Sequence, residues 1–433
     1  MRIAIVGGGL AGLTTAWLLD GEHEVVVLEA ARHAGGHAHS VRAEGVTVDL
    51  GAQYLSPTGF PAHGRLLRLL GLSAADLAPA PLTLTVTGPD RARPILVTPH
   101  LPDQRRGERE PVTGRPWQAL GTFLAAAARF EAADPSWEIP LAELVEPLPL
   151  ARETKDWLLY PLLAHHVRCA NEQAPEVSAR AAIEFFLSVS AASGEHAPLW
   201  SALVPGTQDV TRRLAAALPR GALRTGSPVG ALRRDHGRFE VVDAAGRAVV
   251  ADCVVLAVPA PAALSLLSPL AGTHRVRLAL GAFTYTPAEV AVHLDPAYQP
   301  ACRRHWSAVN LQVHDGWAEA AHWYGPALGV DVFKSWITYR ERPPAEVVAQ
   351  RSFRQLVVTP AAVRARATLA ARQGHGGIYL AGSHLTGSDS QESAVRSALA
   401  VAGLLTPGAA RLRALTEGIG RDATPVSGAR RGG

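Results

Sequence analysis

The chain opens with two short apolar runs. A glycine-rich stretch and a segment whose apolar residues recur at helical spacing lie between them. Residues 2–6 (RIAIV) are a continuous apolar run of strand length, and residues 7–12 (GGGLAG) follow at once. Residues 13–19 then carry apolar side chains at helical spacing, and residues 24–28 (EVVVL) form a second short run. Brief apolar runs beside glycines indicate buried strands, whereas recurrence on one face indicates a helix. The pattern predicts a strand–helix–strand unit.

Three glycines and one acidic residue indicate which kind of ligand this unit binds. Gly7 permits a tight turn, Gly9 lets the backbone approach a pyrophosphate, and Gly12 allows close packing of helix and strand. The N-terminus of the helix offers free N–H groups and a positive dipole end to phosphates. Glu29 follows the second strand, where a carboxylate accepts both ribose hydroxyls and disfavours a 2′-phosphate. We therefore predict dinucleotide binding, with a plain strand–turn–helix as the alternative.

Further motifs carry a resemblance to a known family. Glu29 is followed by Gly-Gly-His-x-His at residues 35–39 and by VDLGAQY at residues 48–54. In these motifs the chain resembles the flavin-containing amine oxidase and phytoene desaturase superfamily. Residues 283–293 and 391–393 are similar to those of its short, mostly uncharacterised FAD-binding oxidoreductase subgroup, which opens with Gly-Gly-His-x-His. The resemblance covers most of the chain and implies that the cofactor is FAD.

The same resemblance implies a fold class and a domain organisation. We expect an α/β protein with a Rossmann-like FAD-binding domain built from three separated segments and an interleaved α+β substrate domain. The expected ranges are 1–72, 201–272 and 372–405 for the FAD-binding domain, 73–200 and 273–371 for the substrate domain, and 406–433 for a flexible C-terminal tail. The tail is rich in Gly, Ala, Arg and Pro and lacks sustained periodicity.

Composition narrows the classes of function. A hydrophobic fraction of 48% over 433 residues allows a large core, and a net charge of only +4 with mixed signs shows no nucleic-acid footprint. The cysteines Cys169, Cys253 and Cys302 are far apart in sequence, so free thiols in a reducing cytoplasm are expected. The longest apolar stretch, residues 248–270, is interrupted by Asp252 and prolines. We therefore expect a cytoplasmic protein without an integral membrane segment.

The resemblance also implies which residues hold the cofactor. Residues near Gly36 and His37 would lie beside the pyrophosphate, residues 52–54 beside the isoalloxazine ring, and residues 391–393 at a helix start facing its pyrimidine edge. The expected cofactor-binding residues are Gly7, Gly9, Leu10, Ala11, Gly12, Glu29, Ala30, Gly36, His37, Ala52, Gln53, Val229, Gly382, Ser383, Gln391, Glu392 and Ser393. Ser383 departs from the family, in which many members carry Asp or Glu after the glycine.

At two positions that are expected to face the substrate, the chain differs from the amine oxidases, and both differences bear on the expected reaction. Amine oxidases often place a lysine beside the flavin, and by alignment its position here is Glu289. One tyrosine of their aromatic cage would fall at Ser390, so both features are expected to be missing. Glu289 is open to three interpretations: a buried catalytic base, a partner for a substrate ammonium, or a structural acid paired with arginine. The candidate catalytic residues are Glu289 and Tyr54.

The histidines and cysteines give only weak indications of metal binding, of a covalent flavin or of a substrate pocket. His37 and His39 lack a third ligand at useful spacing, so we expect no metal. No cysteine lies between Trp306 and the C-terminus, where some relatives tether their flavin, so FAD is expected to be noncovalent. His165 and His166 end an apolar segment and suit either a capping or core role or a substrate pocket.

These observations predict an FAD-dependent oxidoreductase. We expect it to take a hydride from a C–H bond of a largely apolar small-molecule substrate, by dehydrogenation or desaturation, and to pass electrons to dioxygen or another acceptor. Amine or amide oxidation of the monoamine-oxidase type is the alternative. A redox-neutral isomerase or cyclase, or a non-catalytic escort protein, remains open as a further alternative.

Overall fold

The computed structural model describes residues 1–56, 59–80, 82–89, 91–99, 110–190 and 200–419. The strands, in chain order, are β1 Arg2–Val6, β2 Glu24–Leu28, β3 Ser40–Ala43, β4 Val46–Asp49, β5 Tyr54–Leu55, β6 Leu77–Pro79, β7 Leu84–Thr87, β8 Pro94–Val97, β9 Ser201–Leu203, β10 Leu223–Arg224, β11 Val229–Asp235, β12 Arg238–Asp243, β13 Ala248–Ala251, β14 Cys253–Leu256, β15 Thr284–His293, β16 Val309–His314, β17 Trp317–Trp323, β18 Phe333–Trp336, β19 Val347–Val357 and β20 Ile378–Leu380.

The helices, in chain order, are α1 Leu10–Leu19, α2 Pro61–Leu69, α3 Gly114–Ala132, α4 Leu141–Val145, α5 Arg152–Thr154, α6 Tyr160–Val167, α7 Ala179–Ser190, α8 Gln208–Ala216, α9 Ala260–Leu267, α10 His274–Leu280, α11 Gly325–Leu328, α12 Pro360–Ala370, α13 Gln391–Leu405 and α14 Ala410–Thr416. A π-helical turn, Lys155–Leu159, joins α5 to α6. Among the helices of the described ranges, none combines the length and the apolar character that crossing a bilayer requires.

A five-stranded parallel sheet forms the first layer, in the order β10-β2-β1-β14-β20. Its strands come from all three segments that were predicted to build the FAD-binding domain, which confirms the predicted fold class. Alternate residues of β1 enter different cores: Ile3 and Ile5 pack with α1 and α13, whereas Ala4 and Val6 pack with β12 and α9. A strand buried on both faces requires the continuous apolar run that opens the chain.

A seven-stranded mixed sheet forms the second layer, in the order β19-β15-β18-β17-β16-β7-β8. Strands β7 and β8 come from the first insertion and β15 to β19 from the second, so the two insertions share one sheet. Val290 and Val292 of β15 and Trp336 of β18 point from one face of this sheet into a core that helices α3, α4 and α6 complete. This face and α6 carry the side chains that define the substrate wall described below.

The end of the chain differs from the predicted flexible tail. Residues 410–416 form α14, and Leu412 and Leu415 are buried against the core that contains α2 and α13. Arg411 also donates a hydrogen bond to Asp20 at 2.9 Å. Two apolar positions on a short helix are too few to produce a periodicity that the sequence alone reveals. Residues 420–433 of the predicted tail lie outside the described residues.

Candidate active site

The glycine loop between β1 and α1 contains two glycines that the protein itself requires. Gly7 has a φ of +108°, and a Cβ there would lie 2.3 Å from the carbonyl oxygen of Ala257. A Cβ on Gly12 would lie 2.0 Å from the carbonyl oxygen of Gly7. Both distances are far below van der Waals contact, so any larger residue would displace the backbone of the loop.

Gly9 is different, because neither its conformation nor its neighbours require glycine. Its φ of −77° and ψ of −177° suit any residue, and an added Cβ would meet only the Cα of Gly36, at 4.0 Å. Helix α1 begins at the next residue, Leu10, without a side-chain cap. The N–H groups of its first turn, which include those of Ala11 and Gly12, therefore have no side-chain acceptor in the described part of the chain. Open space beside uncapped N–H groups fits a pyrophosphate.

The second glycine pair lies against this loop. Gly35 donates its N–H to the carbonyl oxygen of Gly8 at 2.8 Å, and Gly36 has a φ of +59°. A Cβ on Gly36 would lie 3.3 Å from the Cα of Gly9. The next residue, His37, is exposed, and its carbonyl oxygen accepts the N–H of Ala52 at 2.9 Å. This hydrogen bond therefore joins the segment predicted to lie beside the pyrophosphate to the segment predicted to lie beside the isoalloxazine ring.

Glu29 stabilises the same loop and retains capacity for a ligand. Its Oε2 accepts the N–H of Gly8 at 2.7 Å, and its Oε1 accepts the N–H of Ala31 at 2.8 Å. Ala30, between them in sequence, is exposed. A carboxylate has about four acceptor positions, so each oxygen of Glu29 can still accept a ribose hydroxyl. These residues fit the adenosine end of FAD.

Residues of the second and third predicted FAD-binding segments also form hydrogen bonds within the protein. Gln391 donates from Nε2 to the carbonyl oxygen of Tyr54 at 3.0 Å, and Ser383 donates to Asp389 at 2.5 Å. Gly382 donates its N–H to Ser397 at 2.8 Å. Val229, by contrast, begins β11 at a bulge and pairs with Asp243. Tyr54 and Gln391 thus join the first and third segments.

Two residues at the start of α13, Glu392 and Ser393, form hydrogen bonds within the protein. The carboxylate of Glu392 accepts the N–H groups of Ala62 and His63, at 3.2 and 2.8 Å, and so caps helix α2. The N–H of Ser393 donates to Ser390 at 3.2 Å. The side chain of Glu392 and the N–H of Ser393 are therefore committed within the protein. Of the first-turn N–H groups of α13, those of Gln391 and Glu392 lack an acceptor from the preceding turn.

A buried lysine faces the segment that was predicted to lie beside the flavin ring. Lys334 is only 1% exposed, and its Nζ donates to the carbonyl oxygen of Gly51 at 2.7 Å and to Oε1 of Gln53 at 3.1 Å. Nε2 of Gln53 is buried and has no hydrogen-bond partner among the described residues. An unsatisfied buried donor is costly, and a polar ligand at this position would remove the cost.

Burial and one carboxylate set the charge of this lysine. Burial lowers the pKa of Lys334 to about 7, and the nearby Asp49 opposes the shift. Burial also raises the pKa of Asp49, although Ser40 and Thr207 donate hydrogen bonds to it at 2.5 and 2.9 Å. Lys334, whose pKa is about 7, therefore titrates near neutral pH under the influence of Asp49. Such a group can donate or accept a proton at physiological pH.

The position of Lys334 corrects the expectation for Glu289. Strand β15 pairs with β18 so that Val292 lies opposite Lys334, whereas Glu289 points to the other face of the sheet. Oε2 of Glu289 accepts a hydrogen bond from Gln350 at 3.3 Å in an exposed position. A buried lysine is present on the neighbouring strand, and Glu289 lies on the opposite face of the sheet from it.

The substrate wall is the face that carries Tyr54, His322, Lys334 and Trp336. The hydroxyl of Tyr54 lies 3.2 Å from Nδ1 of His322, and burial holds the pKa of His322 well below its usual value. Burial raises the pKa of Tyr54, so a neutral phenol donates to a neutral imidazole. Tyr324 is also buried, and its hydroxyl has no hydrogen-bond partner among the described residues. Apart from Lys334, the side chains that define the wall are aromatic or neutral.

Sequence reasoning predicted Tyr54 and Gln53 here but missed Lys334. The lysine stands in an apolar run, and Lys155 is the only other lysine of the chain. A single lysine within an apolar strand is a signal of function, because an isolated buried ammonium is unstable.

The parallel sheet, the glycine loop and the buried lysine together define a two-domain flavin-dependent oxidoreductase. The chain belongs to the flavin containing amine oxidoreductase family, whose sequence model matches residues 10–296. FAD is accordingly its cofactor, and the glycine loop and Glu29 have the space and acceptors that FAD requires.

Curated relatives match a short part of the chain. It is 46% identical over 70 residues to amine oxidase [flavin-containing] A of Bos taurus, which is 16% of this chain and 12% of that protein. It is 44% identical over 69 residues to amine oxidase [flavin-containing] B of Homo sapiens, with the same coverage of 16% and 12%. The match thus spans about an eighth of the length of these relatives.

Solved structures share the whole fold at low sequence identity. Cyclohexylamine oxidase from Brevibacterium oxydans IH-35A superposes with a TM-score of 0.67 and 18% identity, over 93% of this chain and 99% of that chain. A CLA-producing fatty acid isomerase from P. acnes superposes with a TM-score of 0.68 and 14% identity, over 94% and 98%. These similarities establish the architecture.

Proposed function

We propose that the protein takes a hydride from a C–H bond of a largely apolar small molecule and passes the electrons to dioxygen or another acceptor. The observation that carries this proposal is the substrate wall, where the aromatic or neutral side chains of Tyr54, His322 and Trp336 lie beside a single buried amine, Lys334. The nearby carboxylates are committed within the protein: Asp49 to Ser40 and Thr207, and Glu319 to Arg340 at 3.4 Å. Such a wall suits an apolar substrate better than an ammonium ion.

The residues of this chain would hold and orient the reactants. Gly9, Glu29 and the first turn of α1 would bind the adenosine and pyrophosphate of FAD, and residues 52–54 would lie beside its ring. When bound, FAD supplies the hydride-accepting group. Lys334 would hold or move a proton at Nζ, because its pKa of about 7 lets both of its charge states be populated.

Amine oxidation is the second candidate, and one specific observation favours it. The sequence predicted that the lysine of the amine-oxidase branch is missing, yet Lys334 lies buried on β18 against residues 51–53. A neutral Nζ could take a proton from a substrate ammonium and so generate the oxidisable neutral amine. The fold does not decide between the two candidates, because a cyclohexylamine oxidase and a fatty acid isomerase both share it.

The experiment is an anaerobic titration of the purified, FAD-loaded protein. Alkylamines and partly unsaturated hydrocarbons of matched carbon skeleton are added, and the visible flavin absorbance and the product masses are recorded. Loss of flavin absorbance with a new C=C bond in the hydrocarbon supports the proposal. Reduction by amines alone supports the second candidate. If the flavin stays oxidised with every compound but dithionite reduces it, both are contradicted and a redox-neutral reaction or an escort role remains.

We also propose that FAD is held without a covalent bond. Cys169 and Cys253 are buried, and Cys302 is only partly exposed at the start of a short helical turn. Acid precipitation should leave the yellow colour in the supernatant as free FAD. A flavin adduct on any peptide, detected by mass spectrometry, would contradict this proposal.

A further inference from the structure

An arginine at the end of α6 is held over the substrate wall. Helix α6 ends at Val167, and Arg168 adopts a left-handed conformation with φ 62° and ψ 44°. A non-glycine residue in this region is uncommon and costs conformational energy. The carbonyl oxygen of Arg168 accepts the hydroxyl of Thr286 at 2.5 Å, which fixes the turn. The turn places the guanidinium over the ring of Trp336, 3.8 Å from its centroid.

The hydrogen bonds of Arg168 leave most of its donors unused. Burial holds the pKa of His165 well below its usual value, so its ring is neutral. Nη1 of Arg168 lies 2.8 Å from Nδ1 and 3.0 Å from Nε2 of His165, and Nδ1 also lies 3.2 Å from the carbonyl oxygen of Ala318. An arginine can only donate, so the neutral imidazole accepts one N–H of Nη1. A guanidinium has five N–H groups, and this bond uses one of them.

The charge of Arg168 has no matched anion among the described residues. No carboxylate lies within 4.0 Å of its guanidinium in that part of the chain, whereas Glu319, the acid that influences it, contacts Arg340 at 3.4 Å. The second cation of the wall, Lys334, is close enough for Arg168 to lower its pKa. Burial lowers the pKa of Arg168 itself to about 9. Two cations beside neutral imidazoles make this wall electropositive.

The stacking on Trp336 also orients the free donors. A guanidinium that lies flat on an indole ring gains cation–π stabilisation and keeps its N–H edge directed sideways. A planar edge with parallel N–H groups matches the two oxygens of a carboxylate. An unpaired cation in a partly desolvated site is unfavourable, so binding an anion there would remove an existing cost.

We propose that Arg168 binds a carboxylate of the substrate, so that the substrate class is an apolar small molecule with a carboxylate group. This inference rests on the proposed function, because it names the substrate of that same site. The apolar part of the substrate would contact the aromatic wall, and Trp336 would orient the guanidinium. Arg168 is therefore a specificity-determining residue for substrates that carry a negative charge.

The test measures ligand binding without turnover. Octanoate, octanol and octylamine are titrated into the FAD-loaded protein, and the perturbation of the oxidised flavin spectrum gives each dissociation constant. In the wild type, octanoate should bind most tightly. Arg168→Met keeps an unbranched side chain and the same backbone cost but removes the charge. We expect it to weaken octanoate binding about 10- to 100-fold, the scale of hydrogen bonds to a charged group, and octanol binding less than about twofold.

Two further variants keep the test decisive. Arg168→Lys retains the charge without the planar edge, so it should show an intermediate loss for octanoate. Arg364→Met removes an exposed arginine that pairs with Glu138 and should change nothing. Bound FAD and an unchanged melting temperature verify folding of each variant.

The proposal is overturned if octanoate binds the wild type no more tightly than octanol, or if Arg168→Met and Arg168→Lys leave octanoate binding unchanged. Failure of the proposed function has a different signature. In that case octanoate binding would still depend on Arg168, while no substrate would reduce the flavin.

Discussion

The glycine loop and the substrate wall are built in opposite ways. The loop lies within the first 37 residues, and its ligand contacts would be made by backbone N–H groups and by one acid, Glu29. The wall combines side chains from distant parts of the chain, such as Tyr54, Arg168 and Lys334. Packing of β5 and of the end of α6 against strands β17 and β18 brings them together. A backbone site tolerates few changes and requires glycine, whereas a side-chain site can change its charge by single substitutions.

The two regions also differ in how far contacts within the protein account for their residues. In the loop, Gly7 and Gly12 are required by contacts of the protein itself, and Gly9 is not. In the wall, the hydroxyl of Tyr324 and Nε2 of Gln53 are buried without partners among the described residues. Both regions therefore hold features that a bound molecule would explain, and each can be tested separately.

The largest effect is expected from Gly9→Ala. A Cβ at this position finds room within the protein but would occupy the space assigned to the pyrophosphate. The variant should therefore fold with the stability of the cofactor-free wild type and purify without flavin. Flavin absorbance and the melting temperature of the cofactor-free protein measure the two effects.

Gly12→Ala provides the contrast, because its Cβ would lie 2.0 Å from the carbonyl oxygen of Gly7. It should lose both the cofactor and stability. If Gly9→Ala retains FAD with wild-type affinity, the pyrophosphate does not lie against Gly9.

The second prediction concerns the wall. Lys334→Met keeps most of the side-chain volume and removes the amine, so the rate of flavin reduction by substrate should fall by roughly two to four orders of magnitude. In the wild type this rate should rise with pH through about 7, as Nζ loses its proton. The rise should disappear in the variant. Rapid-mixing measurements of flavin reduction between pH 6 and about 9 give both readouts.

A matched control for the same prediction is Glu289→Gln, on the opposite face of the sheet, which should leave the rate nearly unchanged. Stability supplies an independent readout. The unfolded lysine titrates near 10.4, so between pH about 7 and that value the unfolded chain binds more protons than the folded chain. Wild-type stability should therefore rise with pH in this window, and less so in Lys334→Met. Equal pH dependence in both proteins would contradict burial of the amine.

The same contrast explains what could be predicted from sequence. The bounds predicted for β1 and β2, residues 2–6 and 24–28, agree with the structure because apolar runs and glycines act locally. Lys334 was missed because its place depends on the pairing of β15 with β18, residues more than forty positions apart in sequence. An alignment by motif assigned the function to Glu289, and a strand shifts a side chain to the other face with each residue.

The third prediction tests the acid of the loop. Glu29→Gln keeps the size of the side chain but replaces one acceptor oxygen by an NH₂ group, which cannot accept from Gly8 or Ala31. FAD affinity should fall by about 1–3 kcal/mol, the scale for unsatisfied buried polar partners. FMN lacks the adenosine that Glu29 would bind, so its weaker binding should be unaffected. Equilibrium titration of the cofactor-free protein measures both, and an equal loss for FAD and FMN would contradict the ribose assignment.

The smallest effect is expected from His166, which lies on α6 beside the wall and contacts Phe185, with ring centroids 4.9 Å apart. Burial lowers its pKa to about 3. The unfolded histidine titrates near 6.5, so below that pH the unfolded chain takes up a proton that the folded chain does not. Stability therefore falls as the pH drops from about 6.5 towards 3, and it is unaffected above this window.

His166→Phe removes this linkage and keeps an aromatic ring against Phe185. The decrease in melting temperature between pH 7 and pH 5 should therefore be smaller in the variant by a few degrees, or about 2 kcal/mol at most. The exposed His236 is the control, because His236→Asn leaves a position that is open to water in both states. If His166→Phe and the wild type lose the same stability on acidification, the imidazole is charged in the folded protein. The wall would then be more electropositive than the neutral state of His166 implies, which would strengthen the contrast with the glycine loop.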